Sequence, residues 1–169
     1  MENTEQKNKI KIVVADDIPE TLNMVCSLIQ EVCPQAEIVG KHTTLKSVKK
    51  SIDTLHPDVV ILDIQFSAEG KTAFDLLEEY QRNQKNNFKL IIFSGHCEPE
   101  YYDMAFRYNA VHFLPKPIDK DRLNDALKRT VKDQHSKKDI DAKDYRKNKL
   151  IVHTATKSYF ITLDDIVYL

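Results

Sequence analysis

Five polar side chains of this chain stand where apolar runs end: Asp16 and Asp17, Asp63, Ser94 and Lys116. The runs that lead to them are Lys-Ile-Lys-Ile-Val-Val-Ala from Lys9 to Ala15, Val59-Val60-Ile61-Leu62, Leu90-Ile91-Ile92-Phe93 and Ala110-Val111-His112-Phe113-Leu114. An apolar run without alternation reads as a strand buried on both faces, as in a parallel sheet covered by helices. The carboxyl ends of such strands share one edge, and open α/β sheets bind ligands just outside it. Taken alone, Asp63 reads equally well as a ligand-binding carboxylate or as the cap of the next segment. The recurrence of reactive side chains at four strand ends favours the first. Three carboxylates brought together cannot all stay ionised without a counter-charge. A hard divalent cation with oxygen ligands, Mg²⁺ above all, supplies one and keeps waters that a phosphate can displace. Lys116 adds a positive donor suited to a phosphoryl oxygen, and Ser94 adds a hydroxyl. This is equipment for phosphoryl transfer, with Asp63 as the carboxylate nucleophile at its centre.

The segments between the runs must position these groups. Pro19 suits a first helical turn, and Leu22, Val25, Cys26, Leu28, Ile29 and Val32 follow at helical spacing until Pro34. Ala36 to Gly40 reads as a short second strand. Thr43 or Thr44 caps a second helix with Leu45, Val48, Ile52 and Leu55 on one face, broken by His56-Pro57-Asp58. Gln65 to Thr72 reads as a loop containing Gly70, and Ala73 to Gln84 as a third helix. Asn86-Asn87 turns the chain into the fourth strand. Glu98 to Tyr108 gives a fourth helix, and Asp119 caps a fifth that reaches about Val131. Five strand–helix units with short connections predict a doubly wound α/β fold with a five-stranded parallel sheet. With strand order 2-1-3-4-5, the first and third strands are neighbours and Asp16, Asp17 and Asp63 converge. A cis Lys116–Pro117 bond, accessible because the following residue is proline, would turn Lys116 into that site.

Composition narrows the classes. The 169 residues carry 41% hydrophobic and 30% charged side chains with a net charge of −1, an ordinary globular balance with no strongly basic excess for nucleic acid. Residues 1–8 are polar, lack the apolar core of a signal peptide and read as a flexible start. No apolar run approaches membrane-spanning length. Cys26, Cys33 and Cys97 have no metal-ligand spacing and read as free thiols in a reducing cytoplasm. From Asp133 to Lys149 apolar residues thin out, which reads as a solvated helix extension or a linker, with linker favoured. Leu150-Ile151-Val152 and Tyr159-Phe160-Ile161 read as two strands around Ala155-Thr156-Lys157-Ser158, with apolar side chains and free edges that would seek a partner.

Together, Asp16-Asp17, Asp63 at the end of an apolar strand, Ser94-Gly95 and Lys116-Pro117 resemble the signature of a response-regulator receiver domain over about residues 9–132. The resemblance implies the flavodoxin-like sheet in order 2-1-3-4-5. It implies that Asp63 accepts a phosphoryl group from a sensor histidine kinase. Asp17 would ligate Mg²⁺ directly, Asp16 would hold a metal-bound water, and the backbone carbonyl of Gln65 would complete the protein ligands. Ser94 and Lys116 would bind phosphoryl oxygens, and Phe113 matches the aromatic that changes rotamer with Ser94 on activation. Readout on the face of the fourth helix, fifth strand and fifth helix, through a homodimer, follows from the same resemblance. Tyr101 to Phe106 and Asn109-Ala110 resemble receivers that precede LytTR-type domains. Residues 150–169, notably Tyr159 to Leu169, resemble the opening of such a DNA-binding domain, so DNA binding and transcriptional regulation would belong to a full-length protein.

The sequence departs from the family pattern after Asp63. Phe66-Ser67 stand where a Met-Pro-like pair is usual, Ala73 stands where a glycine commonly leads into the third helix, and the loop is longer by a residue or two. A phosphatase of the haloacid-dehalogenase type would place a second Asp two residues after the nucleophile, and here that residue is Gln65. A phosphorylation-independent module would lack part of the acidic cluster or the lysine, and this chain has all of it.

Overall fold

In a computed structural model the described residues are 9–83, 87–135, 149–153 and 158–162, with side chains described over 9–83 and 87–130. The elements are β1 (Ile10–Ala15), α1 (Pro19–Val32), β2 (Ala36–His42), α2 (Leu45–Leu55) and β3 (Val59–Asp63). Two-residue arms β4 (Gln65–Phe66) and β5 (Lys71–Thr72) flank a 3₁₀ turn, Ser67–Glu69. Then come α3 (Ala73–Arg82), β6 (Lys89–Ser94), α4 (Pro99–Arg107), β7 (Ala110–Pro115), α5 (Lys120–His135), β8 (Lys149–His153) and β9 (Ser158–Thr162). The main sheet is parallel throughout, with order β2-β1-β3-β6-β7. With the arms β4 and β5 set aside, this is the expected order 2-1-3-4-5.

The unbroken apolar runs are explained by what covers them. Every residue of β3 is buried, and successive side chains of a strand point to opposite faces. Val59 and Ile61 pack with Leu22, Val25 and Ile29 of α1 and Leu123 and Leu127 of α5. Val60 and Leu62 pack with residues of α2, α3 and α4, including Val48, Leu77 and Ala105. The sheet thus separates two apolar layers, and neither face is free for polar residues along its middle. Polar chemistry is confined to the strand ends.

The second strand runs to His42 rather than stopping at Gly40. Gly40 is a close-approach site: a Cβ there would lie 2.6 Å from His42 Nε2 and 2.9 Å from Ser51 Oγ. The β1–β2 register shifts between Ile12 and Val13 opposite this stretch, so the glycine marks an irregularity within the strand, not its end. Thr44 is the residue that caps α2, its hydroxyl accepting from Ser47 N–H. Asp119 Oδ1 accepts from Arg122 N–H at the start of α5, and that helix continues to His135, past the boundary expected after residue 132. β8 and β9 pair antiparallel, Leu150 with Ile161 and Val152 with Tyr159. The flexible start expected at 1–8, part of the Asn86-Asn87 turn, the linker over 136–148, the turn at 154–157 and residues 163–169 lie outside the described residues.

Candidate functional site

Strand register builds the site. Ala15 pairs with Leu62, so Asp16 and Asp63 follow side by side on adjacent strands. Asp63 pairs with Phe93, and Ser94 pairs with Pro115, so Ser94 and Lys116 come next along the same sheet edge. Asp16, Asp17 and Asp63 each place a carboxylate oxygen within 4.8 Å of the others. The Lys116 ammonium donates to Asp16 Oδ2 at 2.7 Å and to Asp63 Oδ2 at 3.0 Å. It also lies 4.9 Å from the centre of the Phe93 ring, a contact that favours a cation. The Lys116–Pro117 peptide bond is cis.

The carboxylates are held from the backbone as well. Asp16, fully buried, accepts Ile18 N–H at Oδ1, 2.8 Å. Asp63 Oδ1 accepts Ile64 N–H at 2.8 Å, and half-buried Asp17 accepts Ser67 N–H at Oδ2, also 2.8 Å. Burial drives the Asp63 carboxyl above the usual carboxylate range, with the Asp16 charge adding to the rise and Lys116 opposing it. For Lys116, burial pulls the ammonium down, but its hydrogen bonds to Asp16 and Asp63 outweigh that and raise its pKa. Three carboxylates against one ammonium leave a net formal charge of about −2, which matches one divalent cation; the all-oxygen donor set suits a hard one. The residues therefore fit such a cation.

The other expected site residues have different surroundings: Ser94 ends β6, Phe113 lies inside β7 and Gln65 opens the β4 arm. Ser94 is 1% exposed, and its hydroxyl accepts His96 N–H at 3.1 Å. Phe113 is buried, its ring centre 4.1 Å from that of Tyr102 on α4. Gln65 begins the β4 arm, and its side-chain amide makes a long 3.5 Å contact with the Tyr101 hydroxyl. Four participants carry no mark in the sequence: the N–H groups of Ile18, Ile64 and Ser67, which are backbone donors, and Tyr102, which packs on Phe113. From the sequence Tyr102 reads equally as part of a partner surface or as packing of the fourth helix, and the structure buries it against Phe113. Among the described residues no helix is long and apolar enough to cross a membrane.

A doubly wound sheet of this order with an acidic cluster and a lysine at its carboxyl edge defines a receiver-type α/β protein. The response regulator receiver domain model matches residues 12–128, and the chain belongs to that family. It is 25% identical over 165 residues to the sensory transduction protein LytT of Bacillus cereus, a match covering 94% of this chain and 65% of that protein. It is 31% identical over 132 residues to the transcriptional regulatory protein BtsR of Escherichia coli K12, covering 78% and 52%. The signal receiver domain of the response regulator NarL from Mycobacterium tuberculosis superposes with a TM-score of 0.65 at 22% identity, over 74% of this chain and 98% of that domain. The chain spans 65% of the length of LytT.

Proposed function

We propose that the chain is a phosphorylation-dependent signalling switch that takes a phosphoryl group onto Asp63 from a sensor histidine kinase. The observation that carries this reading is the Lys116 ammonium bridging Asp16 and Asp63 inside the three-carboxylate cluster. An Asp63 oxygen attacks phosphorus, the bond from phosphorus to the donor's nitrogen breaks, and the leaving imidazole keeps that electron pair. Lys116 and Ser94 donate to the phosphoryl oxygens, where charge accumulates. Mg²⁺ held by Asp16, Asp17, Asp63 and the Gln65 carbonyl would neutralise part of that charge. The buried setting of Asp63 strengthens each of these interactions by excluding water.

Readout would run from Ser94. A phosphoryl oxygen would accept the Ser94 O–H and draw that hydroxyl toward the site, moving the acceptor that His96 N–H uses and changing the space available to Phe113 and Tyr102 on the α4–β7–α5 face. This gives two arrangements whose balance the phosphoryl group biases. A homodimer through that face, or through β8 and β9, would report the change. The LytT match reaches beyond residue 128, which supports reading residues 150–169 as the opening of a LytTR-type output domain. A full-length protein would then bind DNA and regulate transcription in the cytoplasm, and residues 9–132, 133–149 and 150–169 would serve as receiver, linker and output segment. Incubation with a small phosphodonor and Mg²⁺ followed by intact mass tests the reading. One added phosphoryl group is expected, absent in Asp63→Asn and absent with EDTA; an equal gain in Asp63→Asn overturns it.

A further inference from the structure

The segment after Asp63, expected to be a plain loop, is a closed excursion with anchors on three sides. Gln65 pairs with Thr72 and Phe66 with Lys71, Phe66 is fully buried, and Gly70 turns the tip with a φ of 59°. The tip reaches two other elements. Ser67 N–H donates to Asp17 Oδ2. Glu69, half-buried, accepts the N–H of Leu45 at 2.6 Å. Leu45 is the first residue of α2, where an unsatisfied backbone donor and the positive end of the helix dipole both favour a carboxylate. One short tip therefore joins the end of α2 to a carboxylate of the acidic cluster.

We propose that Glu69 is a positioning residue for the divalent-cation site, holding the Gln65–Thr72 excursion against Asp17 by its grip on α2. This rests on the cation-binding reading above. Without the Glu69 carboxylate, Leu45 N–H loses its acceptor and the tip loses its tie to α2, keeping the Ser67 contact to Asp17 and the β4–β5 pairing at its base. The Gln65 carbonyl and the Asp17 side chain then lose the arrangement that a rigid octahedral ion demands. Groups that orient ligands typically influence metal affinity by about tenfold or more when removed.

The test is calorimetric Mg²⁺ titration of the full chain as wild type, Glu69→Gln, Glu69→Asp and Glu69→Ala, with exchange of the Ser67 amide followed by NMR. Gln keeps an acceptor oxygen at the same reach, whereas Asp keeps the charge but is shorter by one bond of about 1.5 Å. Glu69→Asp and Glu69→Ala should weaken Mg²⁺ binding about tenfold and speed exchange at Ser67. Glu69→Gln should stay close to wild type in both. A role in stability alone would lower the melting temperature of Glu69→Ala and leave the dissociation constant of the folded chain unmoved. If Glu69→Ala does not fold, Glu69→Asp decides. Wild-type Mg²⁺ affinity in Glu69→Asp overturns the proposal. A wild-type chain that takes up no Mg²⁺ overturns the function proposed above instead; unchanged Ser67 exchange in Glu69→Asp would then overturn the clamp itself.

Discussion

Replacing Lys116 with methionine tests the electrostatics of the site at its centre. Methionine keeps an unbranched stem of the same length to Cε, with sulfur in place of Cδ, and removes the ammonium. Two carboxylates then lose their counter-charge: Asp16, fully buried, and Asp63, 5% exposed. Removing one partner of a buried ion pair costs roughly 3–5 kcal/mol, because a charge is left without compensation. Lys116 is 21% exposed, so water reaches the site and the low end, about 3 kcal/mol, is the appropriate figure. At about 4 °C per kcal/mol for a domain of this size, Lys116→Met should melt about 12 °C below wild type at pH 7 in EDTA. Two dependences separate this cause from simple repacking. Lowering the pH protonates the stranded Asp63 carboxyl, whose pKa burial raises, and should close part of the gap. Added Mg²⁺ should stabilise Lys116→Met more than wild type, because the cation no longer competes with an ammonium. Circular-dichroism melts across pH, with and without Mg²⁺, measure all three. A variant as stable as wild type in EDTA at pH 7 would refute the reasoning, since the ammonium would then not be holding the carboxylates together.

Three further outcomes follow from the same geometry. Burial raises the Asp63 pKa, so between the ordinary carboxylate value and the raised one the folded chain holds a proton the unfolded chain has lost, and stability falls as pH rises through that window. Asp63→Asn should therefore raise the melting temperature at pH 7 in EDTA, with the gain disappearing below the ordinary carboxylate range; a lower melting temperature at pH 7 would count against it. Gly40→Ala places a methyl group against the side-chain ends of His42 and Ser51, which must shift, and should cost about 1 kcal/mol in urea unfolding, the low end for overpacking; a raised midpoint would count against it. Tyr80→Phe removes a hydroxyl that donates to Lys49 O and Asp53 Oδ1 between α3 and α2, and should cost about 1 kcal/mol by the same measurement.

The fold was legible because its determinants are local and repeated. Val59 to Leu62 has no polar residue to spare, which only a doubly covered strand explains, and turn residues separate the units at every boundary. Thr44, Pro19 and Asp119 mark helix starts by chemistry that reads directly from residue type. The reading slipped where one residue type serves two purposes. Gly40 reads as the end of the second strand, yet it lies inside β2, where a Cβ would meet the side-chain ends of His42 and Ser51. The end of α5 slipped for a different reason: its polar tail from Asp133 to His135 is helical without an apolar stripe to announce it.

Within the site, the side chains were legible and their restraints were not. Asp16, Asp17, Asp63, Ser94 and Lys116 could be grouped because each ends a strand, and parallel pairing does the rest. What orients them is mostly backbone: Ile18, Ile64 and Ser67 donate amides that any residue but proline would supply. No pattern of residue types can point to such donors. The segment from Gln65 to Thr72 concentrates the problem. Its composition reads as loop, and its departures from the family pattern at Phe66, Ser67 and Ala73 read as losses. Yet Phe66 fills the core, Ser67 holds Asp17, Ala73 N–H bonds Ile64 O at 2.7 Å, and Glu69 ties the tip to α2. These contacts tie the segment to the acidic cluster, to the core and to α2. Residue type marks which carboxylates meet at the sheet edge, whereas the fold of this segment supplies the amide that bonds Asp17.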